Sequence, residues 1–308
     1  MSDELFKKRS ENVKDKGELL AFNLAAVAEA LDTIQELKEQ NIGGETVEQR
    51  MGEFRSWDPD VFKVDRDAED GFVRRLEELG RPVVMLSEEA GRKEINADAP
   101  GELLYCVSDP FDGSYLFKHG IPDFWYSTLA FYGADFEPIC CAVGDAVHRR
   151  MAFADARGAF IAELAGDRLS HRFKLDADYR ATMGRPPVTE LEPASIESYA
   201  MKPRKFLLPL VDRYRQVLEP FKFFLPNGGP YGFVDVAEGK IDCYFAAPQP
   251  FTEVFSGIFV AMQAGAVVTD FDGNAVKFTD DINTVLNVVA TTNEALHEKV
   301  LEKVALCR

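Results

Sequence analysis

The sequence predicts a mixed α/β layered fold with two subdomains, and three patterns support this prediction. Apolar residues recur at helical spacing over 14–39. Short, evenly spaced apolar segments occupy 125–163, which favours an antiparallel sheet. From residue 207 onwards helical and extended patterns alternate, which is typical of a fold built from layers of helices and sheet.

The first half combines helices with short strands. The helical pattern of 14–39 stops at 41–44, where an asparagine is followed by two glycines. A second helix is predicted at 68–79, after a charged connection. The segment 108–114 follows a strand and contains proline and glycine, which predicts a tight loop. The strands predicted in this half are 83–86, 103–107, 125–132, 139–143, 151–154 and 159–163.

A subdomain boundary is predicted at the start of 167–192, because this segment is polar and contains prolines. The boundary divides the chain into an α+β subdomain, 1–166, with most of the acidic candidate residues, and an α/β subdomain, 167–308, which completes the site. The elements predicted in the second subdomain are helices at 207–218, 232–237 and 251–265, and strands at 222–225, 241–245 and 266–270.

Composition limits the class of protein. The chain has 308 residues, of which 46% are hydrophobic, and this is enough to bury a core without disulfides. Its 52 acidic and 35 basic residues give a net charge of -17, which repels nucleic acid. No run of 18 apolar residues and no apolar leader is present. We therefore expect a cytoplasmic protein that binds neither nucleic acid nor a membrane, with its five cysteines as reduced, mostly buried thiols.

The strongest local pattern is Asp109-Pro110-Phe111-Asp112-Gly113-Ser114, directly after a predicted strand. Its two carboxylates are three residues apart and can point into one small space. Mg²⁺ prefers such hard oxygen ligands, and a backbone carbonyl between the two aspartates could add another. Taken alone, the string is also typical of a structural turn.

A second group of carboxylates, Ser87-Glu88-Glu89, closes the strand predicted at 83–86. Taken alone, it is also typical of an acidic loop in water. Two strand ends that both carry acids nevertheless indicate a common site for a divalent cation, which an acidic protein needs in order to act on an anion.

Several segments together resemble the inositol monophosphatase and fructose-1,6-bisphosphatase superfamily. They are, in chain order, KVDRDAED with Asp65, LSEEAG with Glu88, DPFDGS, GFVDVAEGKIDCYF, and PFTEVFSGIFVAMQAGAVVTDFDG with Glu253. The resemblance covers most of the chain. It implies the αβαβα sandwich of the sugar phosphatases, Mg²⁺-dependent hydrolysis of a small phosphate monoester, and a homodimer.

The resemblance also implies two or three Mg²⁺ ions in each active site, with Mn²⁺ as a substitute. The groups it assigns to these ions are the side chains of Asp65, Glu88, Asp109, Asp112 and Glu253 and the carbonyl of Phe111. Its catalytic set consists of Asp65, Glu88 and Ser114, in which Ser114 positions the nucleophilic water and Asp65 relays its proton. The phosphate would contact Asp112 and the backbone N–H groups of Gly113 and Ser114.

Several positions depart from the family pattern, and two of them belong to the site: Ser114 stands where the family has threonine, and Glu253 where it has aspartate. One alternative is therefore a catalytically impaired, phosphatase-like binding or regulatory protein. Among enzymes, a fructose-1,6-bisphosphatase or a nucleotide 3′-phosphatase of the same superfamily stays open. Lys202, Arg204 and Lys205 could hold a second phosphate, and they are equally typical of a solvated basic surface.

Overall fold

Two large sheets and the helices around them form most of the described chain. The computed structural model describes residues 16–51, 58–166 and 168–307. Within these ranges the α-helices are α1 Lys16–Glu39, α2 Lys63–Leu79, α3 Ser114–Lys118, α4 Ala177–Thr182, α5 Leu208–Leu218, α6 Pro230–Glu238, α7 Phe251–Phe255, α8 Ile258–Gln263 and α9 Glu294–Ala305. The strands are β1 Thr46–Gln49, β2 Asp60–Phe62, β3 Val83–Ser87, β4 Gly91–Ile95, β5 Leu104–Asp112, β6 Tyr126–Tyr132, β7 Pro138–Asp145, β8 Arg150–Asp155, β9 Gly158–Ala165, β10 Arg168–Leu175, β11 Ser195–Glu197, β12 Phe223–Leu225, β13 Cys243–Pro250, β14 Val267–Asp270 and β15 Val285–Thr291.

The larger sheet has eight strands in the order β10-β9-β8-β7-β6-β5-β3-β4. Its neighbours are antiparallel except β3 and β5, which run parallel. The antiparallel arrangement predicted for 125–163 is confirmed by β6 to β9. Strand β10 continues this sheet beyond residue 166. The smaller sheet has the order β12-β11-β13-β15-β14, with β11 parallel to both of its neighbours.

Apolar side chains form three clusters, which lie between the layers of helix and sheet. The molecule has five such layers. The first cluster lies between helices α1 and α2 and one face of the larger sheet, and it includes Met85. Leu86, the next residue on β3, points into the second cluster, which fills the space between the two sheets around α6, α7 and α8. In the third cluster α5 and α9 pack against the outer face of the smaller sheet. This αβαβα order confirms the layered α/β prediction.

Helix α1 packs its apolar side against the larger sheet. Leu24, Leu31 and Ile34 are buried, as the helical spacing predicted. Residues 14 and 15, with which the predicted helix began, lie outside the described residues. No helix in the described ranges combines the length and the apolar character needed to cross a membrane.

Helix α2 begins five residues earlier than predicted, at Lys63 rather than at residue 68. The reason is a hydrogen bond between the backbone and a side chain: the Oδ2 atom of Asp65 accepts from the Phe62 N–H at 2.9 Å. N–H groups at a helix start have no partner within the helix, so this contact stabilises an early start. Asp65 therefore lies on the first turn of a helix and not in a connection.

Strand β5 is longer than predicted, because it runs through the segment that was expected to be a loop. Its pairing with β6 shifts in register between Asp109 and Asp112. Pro110 lies at this irregularity, where the missing N–H of proline does not break a regular ladder. The chain turns only at Gly113, and helix α3 follows.

The helix predicted at 251–265 is interrupted at Gly257, which gives the two short helices α7 and α8. A Cβ atom on Gly257 would lie 2.5 Å from the carbonyl oxygen of Pro230, at the start of α6. The close approach of these two backbones requires glycine. The prediction of one continuous helix was wrong for this reason.

The cysteines are free thiols, as predicted. Cys106, Cys140, Cys141 and Cys243 are buried, and Cys307 is half-buried. Burial raises the pKa of Cys140 to about 12, which keeps this thiol protonated and unreactive.

Candidate active site

The end of the parallel pair β3 and β5 brings two predicted site residues together. Ser87 and Ser108 are partners in register, and the Glu88 N–H donates to the Ser108 carbonyl at 3.1 Å. Glu88 and Asp109 follow these two serines. Because parallel strands end at the same edge of a sheet, the two carboxylates lie side by side.

Asp109 lies among several acids. Its side chain is buried, and neither carboxylate oxygen accepts a hydrogen bond from a donor in the described part of the chain. Burial is the main cause that raises its pKa well above the usual range, and the charges of Glu88, Asp112 and Glu253 raise it further. Glu253, on α7, is thus close enough to act on Asp109 electrostatically, although 144 residues separate them in the sequence.

A tight turn after Asp112 sets the position of Ser114. Gly113 has a φ of 109°, a left-handed conformation that favours glycine, and helix α3 begins directly after it. The Ser114 hydroxyl donates to the Phe111 carbonyl at 3.1 Å. A carbonyl oxygen has two lone pairs, so the Phe111 oxygen keeps the capacity to bind a cation as well.

Asp65 reaches the same region from helix α2. Its Oδ1 atom is buried and accepts no hydrogen bond from the described residues. Burial raises the pKa of Asp65 well above its usual value, and the charge of Glu89 adds to this, whereas the neighbouring Ser114 hydroxyl lowers it. Asp65 and Ser114, predicted to act together, are therefore neighbours. The influence of Glu89, which exceeds that of Glu88, was not anticipated from the sequence.

The second half of the chain closes the site through a glycine turn and a tyrosine. Gly229, before α6, approaches Asp112 so closely that a Cβ atom on it would overlap the Asp112 carboxylate. Gly228 packs against Tyr199, since a Cβ atom there would lie 3.0 Å from the Tyr199 Cβ. Burial first, and then the charges of Asp112 and Glu253, raise the pKa of Tyr199. Tyr199 thus lines the carboxylate cleft, and no motif in the sequence pointed to it.

The three basic residues considered for a second phosphate have different surroundings. Lys202 forms an ion pair with Asp58, an acid whose charge also reaches Tyr199, so Lys202 lies at the rim of the cleft. Arg204 and Lys205 are exposed on the short π-helical turn Pro203–Leu207.

A second set of buried charges lies behind the cleft. Glu238, at the end of α6, is contacted by Arg150 of the larger sheet at 2.7 Å and by Lys240 at 2.6 Å. Lys240 also approaches Asp235, at 3.4 Å. Opposite charges compensate one another here, unlike in the group around Asp109. This network was not predicted. Asp235, Glu238 and Lys240 lie in the segment GFVDVAEGKIDCYF, but Arg150 is 88 residues away from Glu238 in the sequence.

The donor set fits a hard divalent cation. Asp109 has two buried oxygens without a hydrogen-bond donor, and Asp65 has one. No group of three or more His, Cys, Asp or Glu side chains within the described ranges is arranged so that it could hold a metal ion by itself. Mg²⁺ needs no such cage, because it keeps several waters and commonly takes only one or two carboxylates together with phosphate oxygens. Asp109 with Glu88 or Asp112 supplies such a pair.

Comparison with known proteins assigns a family to this architecture. The sequence profile described as "Inositol monophosphatase family" matches residues 15–307. The chain is 29% identical over 289 residues to a "Fructose-1,6-bisphosphatase/inositol-1-monophosphatase" of Thermococcus kodakarensis, covering 92% of this chain and 98% of that protein. It is 30% identical over 241 residues to a "Fructose-1,6-bisphosphatase" of Pyrococcus furiosus, covering 77% and 81% of the two chains.

Solved structures with the same fold are found at lower sequence identity. The fold is similar to that of Mycobacterium tuberculosis SuhB, with a TM-score of 0.67, 21% identity, and coverage of 96% of this chain and 98% of that chain. It is also similar to an inositol monophosphate-bound structure of SaIMPase-II, with a TM-score of 0.69, 18% identity and coverage of 95% and 98%.

Proposed function

The chain belongs to the inositol monophosphatase family, whose members are phosphatases, and we propose that it hydrolyses a small phosphate monoester with divalent cations bound in the carboxylate cleft. The substrate is of the inositol-phosphate or sugar-phosphate type. One observation supports this proposal above all: Asp109 is buried beside Glu88, Asp112 and Glu253, and its oxygens have no donor among the described residues. Such an arrangement is costly without a cation, because like charges in a buried site repel.

The family is generally Mg²⁺-dependent, and we assign two or three Mg²⁺ ions to this site, for which Mn²⁺ can substitute. Glu88, Asp109 and the Phe111 carbonyl would hold the first ion. For the second ion the family resemblance assigns Asp109, Asp112 and Glu253, of which Asp109 and Asp112 are the carboxylate pair described above. Asp65 and Glu88 would hold a weaker third. When bound, such ions lower the pKa of a coordinated water and stabilise the leaving oxygen.

The chain's own groups then orient the reactants. The Ser114 hydroxyl lies next to Asp65 and to the Phe111 carbonyl, so it is suited to hold the attacking water. Asp65, which neighbours Ser114, would accept the proton of this water. The N–H groups of Gly113 and Ser114 lie at the turn before α3, where they can donate to phosphate oxygens.

A bisphosphate is the second candidate substrate. It is favoured by the position of Lys202 at the rim of the cleft, where an ammonium group could bind a second phosphate in exchange for Asp58. Relatives named as fructose-1,6-bisphosphatases are in keeping with this candidate. Arg204 and Lys205 would contribute long-range attraction from the exposed turn.

The decisive experiment measures phosphate release from inositol 1-phosphate, fructose 1,6-bisphosphate and a nucleotide 3′-phosphate, in Mg²⁺, in Mn²⁺ and in EDTA. We expect hydrolysis of at least one ester in Mg²⁺ and none in EDTA. Asp109→Asn should reduce activity to background, whereas Asp98→Asn, which changes an exposed acid, should leave it unchanged.

Two results would lead to other conclusions. If the chain binds Mg²⁺ while every ester stays intact, the phosphatase-like binding or regulatory protein is correct. If no divalent cation binds tightly, the acidic residues only keep the protein soluble and the metal assignment is wrong. Wild-type activity of Asp109→Asn would also contradict the assignment.

By analogy with the family, we further propose that the protein is a cytoplasmic homodimer. Strand β10 is an edge strand of the larger sheet, and its Phe173 is 54% exposed, which is compatible with a partner on this side. Light scattering should give twice the chain mass of 34.4 kDa. A mass of one chain would contradict this proposal.

A further inference from the structure

Two polar side chains of the second half of the chain are buried against each other. Glu197 is the last residue of β11, and Asn227 follows β12 after one intervening residue. The Asn227 Nδ2 atom donates to the Glu197 Oε1 atom at 3.0 Å. The other carboxyl oxygen of Glu197 has no hydrogen-bond partner among the described residues. The bond between the two side chains matters, because a buried polar group without a partner loses its hydration and gains nothing in return.

The backbone of Glu197 is held in the interior of the smaller sheet. Its register partners are Leu225 of β12 and Tyr244 of β13, and both pairs are parallel. The next residue, Ser198, donates its N–H to the Leu225 carbonyl at 3.2 Å. Interior strands are among the parts of a fold that open least often. The Glu197 carboxyl is therefore a fixed point for anything bonded to it.

Asn227 begins the glycine turn, residues 227–229, which lies between β12 and α6. It is the one residue of this turn with a side chain, because the other two are glycines. Gly229, at the other end, packs against the Asp112 carboxylate, and a Cβ atom on it would overlap the Asp112 Oδ2 atom. A shift of the turn would therefore be passed on to Asp112.

The surroundings of Glu197 favour its neutral form. Burial raises its pKa well above the usual range, and the charge of Asp235 raises it further, whereas the bond from Asn227 lowers it. The charge of Asp112 also raises this pKa, so Glu197 is close to the carboxylate cleft. A neutral carboxyl still accepts a hydrogen bond from an amide, and it adds no further charge to the cleft.

We propose that Glu197 is a positioning residue that acts through Asn227: their hydrogen bond holds the glycine turn against Asp112 and so keeps this carboxylate where it binds a cation. The inference rests on the proposed function, since Asp112 is a ligand only if cations bind in the cleft. Groups behind a metal ligand fix its direction in many proteins. Here the supporting group acts through a turn of the backbone that touches the ligand.

The test is calorimetric titration of Mn²⁺ into the metal-free protein without substrate. Glu197→Met keeps the length of the side chain and loses the acceptor. Its Mn²⁺ affinity should fall about 10–100-fold, as is typical when a group that orients a metal ligand is lost. Glu197→Gln keeps a neutral acceptor for Asn227, so its Mn²⁺ affinity should stay within about threefold of the wild type.

Ser195→Ala is the matched control. Ser195 lies on the same strand, two residues before Glu197, and its hydroxyl also bonds a side chain of another segment, Asp242, at 2.8 Å. This variant removes a hydrogen bond of the same kind from β11. Its Mn²⁺ affinity should stay at the wild-type value.

A double variant separates positioning from stability. Glu197→Met combined with Asn227→Leu removes both polar groups, so neither is left buried without a partner and the unfolding temperature should return towards the wild-type value. No hydrogen bond holds the turn in this protein, so Mn²⁺ affinity should stay as low as in Glu197→Met. If affinity returns together with the unfolding temperature, the pair serves stability alone and the inference is wrong. Should Glu197→Met fail to fold, the double variant is compared with the wild type directly.

Three further results would overturn the inference: wild-type Mn²⁺ affinity of Glu197→Met below its unfolding temperature, binding by Glu197→Gln as weak as by Glu197→Met, or an equal loss in Ser195→Ala. Failure of the proposed function is visible separately through Asp112→Asn, which should itself lose Mn²⁺ affinity. If Asp112→Asn binds Mn²⁺ like the wild type, the ligand assignment fails whatever Glu197 does.

Discussion

The carbonyl oxygen of Phe124 packs directly against the Cα atom of Gly113, and no side chain fits between them. A Cβ atom on Gly113 would overlap this oxygen and lie 3.2 Å from the Trp125 ring. Phe124 itself has a φ of 55°, which is uncommon for a residue other than glycine. The contact therefore fixes the turn between Asp112 and Ser114 from outside the motif that contains them.

Replacing Gly113 by alanine should disable the site and destabilise the fold. The new methyl group meets a backbone atom that cannot swing away, and the φ of 109° is unfavourable for alanine. We expect a loss of at least about 3 kcal/mol of unfolding free energy and no detectable phosphatase activity. Denaturant unfolding and phosphate release measure the two effects.

Gly120→Ala is the control for this prediction. Gly120 has a φ of 67° but no neighbour within 4 Å of an added Cβ, so only the backbone strain applies. Gly120→Ala should lower the unfolding free energy by about 1 kcal/mol and leave phosphatase activity intact. Equal effects at the two glycines would contradict the role given to the Phe124 carbonyl.

Sequence patterns predicted the parts of the site that are local. The spacing of Asp109 and Asp112 and the position of Glu88 at a strand end are visible in short segments, and the strands they end are paired in register. The layered fold followed from helical and alternating apolar patterns in the same way. Whether the assigned residues bind cations stays a prediction.

Other parts could not be predicted, because they depend on contacts between distant segments. Glu197 and Tyr199 have no motif, and their positions beside Asn227 and Gly228 arise only when the layers assemble. The early start of α2 depends on the direction of one side chain, Asp65. The break at Gly257 depends on a backbone from another helix, so helical spacing over 251–265 could not reveal it.

Divalent cations should stabilise the fold, and Asp109 should be the residue through which they do so. Binding of Mg²⁺ at about a hundredfold excess over its dissociation constant adds about 3 kcal/mol to the unfolding free energy. In EDTA, Asp109→Asn should be more stable than the wild type, because the substitution removes one of several neighbouring negative charges. Thermal unfolding with and without Mg²⁺ checks both statements.

The control is again Asp98→Asn, which should respond to Mg²⁺ like the wild type. An Asp109→Asn protein that unfolds at a lower temperature than the wild type in EDTA would show that the buried carboxylate is already compensated without a cation.

Removing Arg150 should destabilise the contact between the larger sheet and helix α6. Its guanidinium contacts the Glu238 carboxylate, whose side chain is only 1% exposed. Arg150→Met leaves Lys240 as the remaining cation beside Glu238, so we expect the unfolding free energy to fall by about 2–3 kcal/mol. This is less than the loss expected for a buried acid that keeps no partner. Urea unfolding measures the loss.

Arg74→Met provides the comparison, because Arg74 is 58% exposed and pairs with Glu29 at the surface. Exposed pairs contribute at most about 1 kcal/mol. If both variants lose the same small amount, the buried network does not hold the layers together.

Stability should fall in mild acid because of His297, a buried residue of α9. Its ring nitrogens contact the hydroxyls of Thr269 at 2.8 Å and Thr291 at 3.0 Å. Burial lowers its pKa to about 4, from the usual 6.5. The unfolded chain therefore binds a proton at a higher pH than the folded chain does. The contribution of neutral His297 to the unfolding free energy is therefore complete above pH 6.5 and is lost as the pH falls towards 4. At pH 5 the loss is about 1–2 kcal/mol.

Urea unfolding of the wild type, His297→Asn and His119→Gln at pH 7 and pH 5 tests this origin. The loss between the two pH values should be smaller in His297→Asn than in the wild type. It should be unchanged in His119→Gln, which alters an exposed histidine. An undiminished loss in His297→Asn would assign the acid sensitivity to other groups.

Ser114 offers the sharpest distinction between an active phosphatase and an impaired relative. Its hydroxyl is bonded to the Phe111 carbonyl and lies beside Asp65, so removing it in Ser114→Ala should lower kcat about 100-fold, within the range for loss of one group that positions a reactant. Ser114→Thr keeps the hydroxyl and adds a methyl group that restricts its rotamers, so kcat should equal or exceed that of the wild type.

If the wild type and Ser114→Thr are both inactive while Mg²⁺ binds, serine at this position is not what limits turnover, and the cause has to be sought at Glu253. In that case Glu253→Asp, which shortens the acid to the length found in the family, is the variant in which activity should appear.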